Sequence, residues 1–348
     1  MNMRKLLLLC VLTFSVYVSA YDFMVSGIRY NILSAENKTV EVTYDHQTGA
    51  AHYGEYEGNI VVPSEVTYNN ITFKVTQIGN YAFKYCRKLK SVTVEEGVTS
   101  IGYEAISSGS VTKIHLPNSV NTISEWSLSG NWYLTSVHLP ENIEVLPKYL
   151  FSVDKALKTV ELPENIKEIS LGCFDSCEGL ISINIPSKVH TIKSCSFIGC
   201  KNLASIVIPK NVTTIESSAF SGCSSLKEIH FHRSDIKCGN NAFNDCSSLK
   251  SIFVHDTNVF DANLVFSAGT FMLATLYVPK GTKSLYQNAN GWKNFSNIEE
   301  FDDAAGISVI VPDKPYEKES YYYDLNGIKH CSPSGKGVYI RKGKKYTF

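Results

Sequence analysis

Four cysteines recur at a fixed interval and are the first residues whose type and spacing suggest chemistry. Cys177, Cys200, Cys223 and Cys246 follow one another every 23 residues. Thiolates bind zinc and act as nucleophiles, but a tetrahedral zinc site needs four sulfurs about 2.3 Å from one point. If each interval is one turn of a coil, the four thiols form a line roughly 14 Å long and cannot converge. The pattern therefore predicts buried cysteines that fill an interior, with disulfides between neighbours as the alternative in an oxidising compartment.

Histidines recur at the same interval. His115 and His138 are 23 residues apart, and His230 lies in the same register further along. Imidazole is a common metal ligand, and Glu161 is the one carboxylate that continues the register beside them. A two-histidine metal site is one interpretation, and histidines on an exposed binding face are the favoured one.

The sequence contains none of the zinc-protease, serine-hydrolase, phosphate-loop or calcium-loop motifs. We therefore expect no enzymatic activity, no bound metal and no cofactor. Lys plus Arg and Asp plus Glu both number 33, so the formal net charge is +0. A nucleic-acid binder carries a basic excess, and we expect no nucleic-acid partner.

The elements that position these residues form a 23-residue repeat. Each unit contains an L-x-x-I-x-I-P pattern, in which apolar and polar residues alternate as in a strand with one buried face. The central apolar residues are Ile114, Val137, Val160, Ile183, Ile206, Ile229 and Ile252, with Val92 and Leu276 one step out of register. Proline ends the strand where no N–H donor is needed, at Pro117, Pro140, Pro163, Pro186 and Pro209.

The remainder of each unit supplies the opposite wall of a coil. In one unit the expected inward residues are Val212, Ile215, Ala219, Phe220 and Cys223. A single turn cannot bury its own apolar face, so neighbouring turns must stack. The fold predicted is a repeat solenoid, a right-handed coil with one parallel β-sheet built from about nine 23-residue units and little regular helix.

The outward position next to each proline varies far more than its neighbours and predicts a ligand-binding face. This face consists of His115, His138, Glu161, Asn184, Val207, His230, Phe253 and Tyr277. Apolar and aromatic groups here are not required by the fold, which is typical of an interaction patch. The alternative is that these side chains merely pack side by side.

The ends of the chain predict export and capping. Residues 1–20 combine basic Arg4 and Lys5 with an apolar run and small residues, which is the pattern of a signal peptide. We predict cleavage after Ala20, with lipidation at Cys10 as the alternative. No later stretch is long and apolar enough to span a membrane. We predict an N-terminal β cap at 21–75, the solenoid with its C-terminal cap at 76–300, a linker at 301–320 and a β-hairpin tail at 321–348.

The motif I-G-x-x-A-F-x-x-C-x-x-L at residues 78–89 resembles the BspA-like leucine-rich repeats of bacterial surface proteins. The resemblance covers about residues 58–300 and implies an elongated surface protein used in attachment. Two units depart from it, with Ile106 and Leu128 in place of phenylalanine and no cysteine. The tail, with Y-D-L-x-G at 323–327 and G-x-Y-I at 337–340, is similar to type IX secretion sorting segments, the alternative being a terminal β-extension.

Together these features predict a secreted or cell-surface protein that binds an extracellular or host protein or glycan through the exposed face of its sheet. A structural or self-assembling cell-envelope protein without a foreign ligand is the alternative. A carbohydrate-active enzyme is a third hypothesis, for which no carboxylate site is apparent. The pattern leaves the oligomeric state open.

Overall fold

The computed structural model describes residues 21–45, 56–233 and 235–302, and short strands between residues 322 and 347. The predicted signal peptide, residues 303–320 of the predicted linker, Cys10 and Cys331 lie outside the described residues. The fold prediction is confirmed: the chain forms a parallel β-solenoid of about ten turns with a spacing of about 23 residues and little helix.

The first strands form a cap of mixed topology. They are β1 (Phe23–Val25), β2 (Ile28–Ser34), β3 (Thr39–Thr43), β4 (Glu57–Val62), β5 (Glu65–Tyr68) and β6 (Ile71–Ile78). β1 and β2 are antiparallel, as are β2 and β3, and β5 and β6. Two of these connections are two-residue turns with positive φ at both positions, Ser26 (50°) with Gly27 (79°) and Asn69 (49°) with Asn70 (61°). Such turns match the twist of a hairpin. β3 then pairs in parallel with β6 and begins the coil.

One wall of the coil, here called the sheet wall, contains the predicted parallel strands. Its first part is β4, β7 (Lys88–Val94), β9 (Lys113–His115) and β11 (Ser136–His138). Its second part is β15 (Ser205–Ile208), β17 (Glu228–Phe231), β19 (Ser251–Val254), β20 (Thr275–Pro279) and β21 (Asn297–Phe301). The prediction of one continuous sheet is wrong, because 159–162 and 182–185 form no strand.

The two turns at the break end in proline, as do neighbouring turns that form strands, so proline alone does not explain the break. Pro163 and Pro186 have no N–H to donate to a neighbouring turn. Each intervening turn retains a bond such as the one from Ile181 N to Lys158 O (2.9 Å). Further along, His232 and His255 stand where earlier turns have proline. Their main-chain N–H groups donate to Ile208 O and Phe231 O at 3.1 and 2.9 Å. β15, β17 and β19 have four residues each, where β9 and β11 have three.

The opposite wall, here called the second wall, consists of two-residue strands. β8 (Ser100–Ile101) and β10 (Thr122–Ile123) continue from β6. A second ladder contains β12 (Val145–Leu146), β13 (Glu168–Ile169), β14 (Thr191–Ile192), β16 (Thr214–Ile215) and β18 (Lys237–Cys238). All neighbours in both ladders of this wall are parallel from β6 onward.

Between the walls, equivalent side chains stack turn upon turn. The rings of Phe151, Phe174, Phe197, Phe220 and Phe243 form a column with centroids 4.9 to 5.3 Å apart. Beside them lies the predicted cysteine column, which is buried. Asn131 and Asp154 occupy the corresponding positions in the two turns before Cys177.

The C-terminal end of the coil is closed by aromatic side chains. It carries the helices α1 (Ala268–Leu273) and α2 (Lys283–Asn288) and a 3-10 turn at Trp292–Asn294. Trp292, Phe295 and Ile298 are buried, as predicted, and the indole N–H of Trp292 donates to Phe260 O at 2.7 Å. No helix in the described parts of the chain could cross a membrane.

The tail forms a separate antiparallel sheet. Its strands are β22 (Tyr322–Asp324), β23 (Lys329–His330), β24 (Val338–Arg341) and β25 (Lys344–Thr347), in the order β23-β22-β24-β25. The turns predicted at Asn326-Gly327 and Lys342-Gly343 lie outside the described residues.

Candidate functional site

The second part of the sheet wall brings four of the predicted face residues together. β15, β17, β19 and β20 are parallel and in register, so Val207 pairs with His230, His230 with Phe253, and Phe253 with Tyr277. We call these four residues the sheet row. Residues that are opposite one another on neighbouring strands have Cβ atoms close enough to contact. The 23-residue repeat therefore produces a continuous row from residues far apart in sequence.

Three rings of the sheet row stack. The His230 and Phe253 rings are 4.6 Å apart and inclined by 6°, and the Phe253 and Tyr277 rings are 4.5 Å apart and inclined by 9°. Phe301 meets Phe253 edge-on at 5.8 Å. Stacking of this kind holds the rings in a fixed arrangement. Phe253 and Tyr277 are half-buried.

His230 is more enclosed than the sequence pattern predicts. The expectation that its imidazole is exposed is wrong, since the residue is 2% exposed. Its Nδ1 lies 2.9 Å from Nε2 of His255, and its Nε2 lies 2.7 Å from a carboxylate oxygen of Glu228. Burial lowers the pKa of His230, the Glu228 carboxylate opposes that change, and His255 adds to it. The imidazole is therefore a positioned neutral group near pH 7.

His232 and His255 are site residues that the sequence analysis missed. Their rings are stacked at 4.3 Å, and His255 also meets Phe301 edge-on at 5.4 Å. A signal was present, because both occupy the position that proline holds in the earlier turns, such as Pro209. A histidine in place of the repeated proline restores a main-chain N–H donor at the end of the strand.

The first part of the sheet wall holds a second pair of predicted residues. His115 and His138 pair in register, and their rings are 4.6 Å apart. Nδ1 of His138 lies 3.0 Å from Leu116 O. Burial, together with His138, lowers the pKa of His115 to about 4. This histidine is consequently neutral at physiological pH.

Glu161 and Asn184 lie between these two groups. Both are exposed, and both belong to the turns that form no strand. The predicted face is therefore not a continuous ladder. It consists of the His115–His138 pair at one end and the sheet row at the other, separated by Glu161 and Asn184.

The cysteine column has a structural role. Cys177 and Cys200 donate their S–H groups to Phe151 O and Phe174 O at 2.9 and 3.2 Å, and the next two cysteines repeat this contact. Burial raises the pKa of the Cys177 and Cys200 thiols well above the ordinary value, so they stay protonated. The eight cysteines in the described ranges form no disulfides. Within the same ranges, no group of three or more histidine, cysteine, aspartate or glutamate residues is arranged to hold a metal ion.

Solved structures with a similar arrangement come from several bacteria. A leucine-rich repeat protein from Bacteroides ovatus is 22% identical, with 81% of this chain and 89% of that chain covered and a TM-score of 0.48. A leucine rich cell surface protein from Faecalibacterium prausnitzii is 21% identical, with 80% and 94% covered and a TM-score of 0.42. The T. pallidum leucine-rich repeat protein is 22% identical, with 64% and 87% covered and a TM-score of 0.44.

Comparison with protein families gives a match, whereas no curated protein is significantly similar. The model of the BspA type leucine rich repeat region matches in 6 copies, over residues 63–181 and 167–299. The matched residues are the turns that carry the stacked phenylalanines, the cysteine column and the sheet row. Because this match covers well over half of the sequence, the chain belongs to the BspA-type leucine-rich repeat family.

Proposed function

We propose that the protein is a secreted or cell-surface binding protein, without enzymatic activity, that attaches to an extracellular or host protein or glycan through the sheet row. Export by a signal peptide cleaved after Ala20 would deliver it to that location. Membership of a surface leucine-rich repeat family supports a role in protein interaction. The single observation that carries the proposal is the rigid stack of Phe253 on Tyr277 on the outer side of the sheet.

The composition of the sheet row suits recognition. Aromatic side chains that are held in place lose little conformational freedom on binding, and they dominate the energetics of most protein interfaces. The other outward column carries small residues at the same turns, for instance Ser205 and Ser251, which leave the rings accessible from that side. Glu228 adds a carboxylate next to the buried imidazole of His230. A ligand with an apolar group flanked by a donor would match this arrangement.

The test is binding of the purified protein to arrays of extracellular-matrix proteins and glycans, beside the double variant Phe253→Thr, Tyr277→Thr. Threonine keeps the preference for strand structure, so the sheet should persist while the stack is removed. We expect the double variant to bind about tenfold more weakly or worse, equivalent to a loss of about 1.4 kcal/mol or more. Circular dichroism and the midpoint of thermal unfolding report whether the fold is retained.

Val145→Thr is the matched control, because Val145 is an exposed apolar residue on the second wall. It should bind as the unmodified protein does. If the unmodified protein bound nothing on either array and instead self-associated with rising concentration in sedimentation velocity, the cell-envelope assembly hypothesis would replace this one. Equal binding by the double variant would remove the sheet row as the site.

A further inference from the structure

A second aromatic surface lies at the turns that follow the second wall. In each turn the third residue after the strand has a left-handed backbone, and its N–H donates to a carbonyl of the next turn. Trp126 (φ 60°) donates to Lys148 O at 3.1 Å, and Tyr149 (φ 56°) donates to Leu171 O at 3.0 Å. This bond between turns requires the unusual backbone, whatever side chain is attached.

The fold does not need an aromatic ring at this position. Later turns make the equivalent bond with small or turn-favouring residues, namely Gly172, Cys195, Ser218 and Asn241. A left-handed backbone is unfavourable for a bulky side chain and suits glycine and asparagine. Trp126 and Tyr149 therefore have a backbone conformation that is unfavourable for their side chains, and such conformations concentrate at functional sites.

The two rings form a platform. They are 4.0 Å apart and inclined by 14°. The Tyr149 ring lies directly over Gly172, where a Cβ atom would come within 2.3 Å of Cε1 of the tyrosine. Gly172 thus makes room for the ring, and three consecutive turns are adapted to one stack. Tyr149 is the only ring in contact with Trp126 among the described residues, so the other face of the indole has no aromatic neighbour there.

The surroundings of the platform are polar without net charge. Two ion pairs flank it, Glu125 with Lys148 at 2.8 Å and Lys84 with Glu104. Within the described parts of the chain, neither the indole N–H of Trp126 nor the hydroxyl of Tyr149 has a hydrogen-bond partner. Trp126 and Tyr149 are both partly exposed, so the platform offers apolar ring surface, two free hydrogen-bonding groups and a neutral border of paired charges.

We propose that Trp126 and Tyr149 bind a neutral polysaccharide, with a sugar ring packed against the exposed part of the indole. The C–H groups on the face of a sugar are weakly positive and are attracted to the negative face of an aromatic ring, while sugar hydroxyls satisfy the free N–H and O–H groups. A protein partner fits less well, because the apolar surface ends at these two rings: Glu104 and Gly172 hold the same position in the turns on either side, whereas a stable interface buries roughly 800 Å² on each side. A neutral border also gives no attraction for an acidic polymer.

Affinity electrophoresis of the full chain in gels containing soluble mannan, xyloglucan or β-1,3-glucan tests this, with polygalacturonate as the acidic comparison. The strip variant is Trp126→Asn, Tyr149→Asn, because asparagine tolerates the left-handed backbone. We expect retardation by at least one neutral polysaccharide, and at least tenfold weaker binding by the strip variant with an unchanged or higher midpoint of thermal unfolding. Trp132→Ala is the control, since Trp132 is 57% exposed and outside the platform, and its binding should stay within about twofold.

Tryptophan emission gives a readout that does not depend on the folding of the strip variant. In a Trp132→Phe protein only Trp126 and the buried Trp292 remain, so polysaccharide should shift the emission of Trp126 and protect it from acrylamide. The proposal is overturned if no neutral polysaccharide retards the protein, if polygalacturonate alone does, if the strip variant binds undiminished, or if the emission does not change.

Discussion

Asp154 places a carboxyl group in the core, where Cys177 stands one turn later. It is 0% exposed, and one oxygen accepts the main-chain N–H of Asn131 at 2.7 Å. The other oxygen has no partner among the described residues. Burial raises the pKa of Asp154 well above its ordinary value, opposed in part by the bond from Asn131. The acid is therefore held neutral by the fold.

This carboxyl predicts an unusual dependence of stability on pH. Because the pKa is higher in the folded state than the value of about 3.9 expected when unfolded, the folded chain holds a proton that the unfolded chain releases. The stabilising effect is complete below about pH 3.9 and is lost as the pH rises through the folded pKa. Asp154→Asn should be more stable than the unmodified protein at pH 8, by about 1–3 kcal/mol, and equal to it near pH 4.

Urea unfolding at pH 4, 6 and 8 measures this difference. Asp245→Asn is the control, since Asp245 is an exposed carboxylate in an equivalent loop. Parallel curves for Asp154→Asn and the unmodified protein at all three pH values would contradict the prediction.

The exposure of a site residue could be predicted from the sequence when the groups that cover it lie in its own turn of the coil. The alternation of apolar and polar residues placed Phe253 and Tyr277 on the outer side of the sheet correctly. It could not predict the burial of His230, because the group that covers its Nδ1 is His255, which belongs to the next turn. Trp126 and Tyr149 were missed since nothing in their residue types reports the backbone conformation beneath them.

The strands show what a repeat period can and cannot predict. Strand positions follow from the alternation, and register follows from the constant spacing, as in the pairing of Ile206 with Ile229 and Ile252. The division of the sheet wall was not predictable, because the turns ending at Pro163 and Pro186 have the same pattern as their neighbours. Whether a ladder forms there depends on a few tenths of an ångström between carbonyls and donors, which no sequence pattern encodes.

The strand end at His255 is a place to test the contribution of the main chain. His255→Pro removes the N–H that donates to Phe231 O at 2.9 Å, and we expect a loss of about 1–3 kcal/mol in the free energy of unfolding. Hydrogen exchange should also quicken in β17 and β19. His255→Val retains the N–H and removes only the ring, so it should lose less. Equal losses in the two variants would show that the side chain alone matters.

In the whole molecule, each turn contacts only its neighbours. Stability is therefore the sum of the contacts between neighbouring turns along the coil, rather than a property of one central core. The ends are then the weakest places, because each terminal turn has one neighbour fewer. At the C-terminal end this deficit is offset by Trp292, which packs edge-on against Phe260 at 5.0 Å and is fully buried.

Removing the Trp292 side chain should destabilise the C-terminal end of the coil and leave the N-terminal end unchanged. Trp292→Ala leaves a large cavity, and we expect a loss of about 3–5 kcal/mol in the turns that it covers. Hydrogen exchange should lose protection in β19, β20 and β21 while β2 and β3 remain protected. Leu285→Ala, an exposed change in the same cap, should leave exchange unaltered. A uniform loss of protection along the chain would mean that the coil unfolds as one unit.

The stacked phenylalanines have a consequence for how such a chain can change its length. The contacts of Phe174 with Phe197, Phe197 with Phe220 and Phe220 with Phe243 are nearly identical, with centroids 5.1, 4.9 and 4.9 Å apart. A gene segment encoding one of these turns could be duplicated or deleted, and the surfaces brought together would already match. Duplication or deletion of the turn that carries Phe174 or Phe197 would change the distance between the His115–His138 pair and the sheet row by about 4.8 Å, one strand spacing. The number of turns in the middle of the coil thus sets the distance between the two surfaces, and neither surface needs to change.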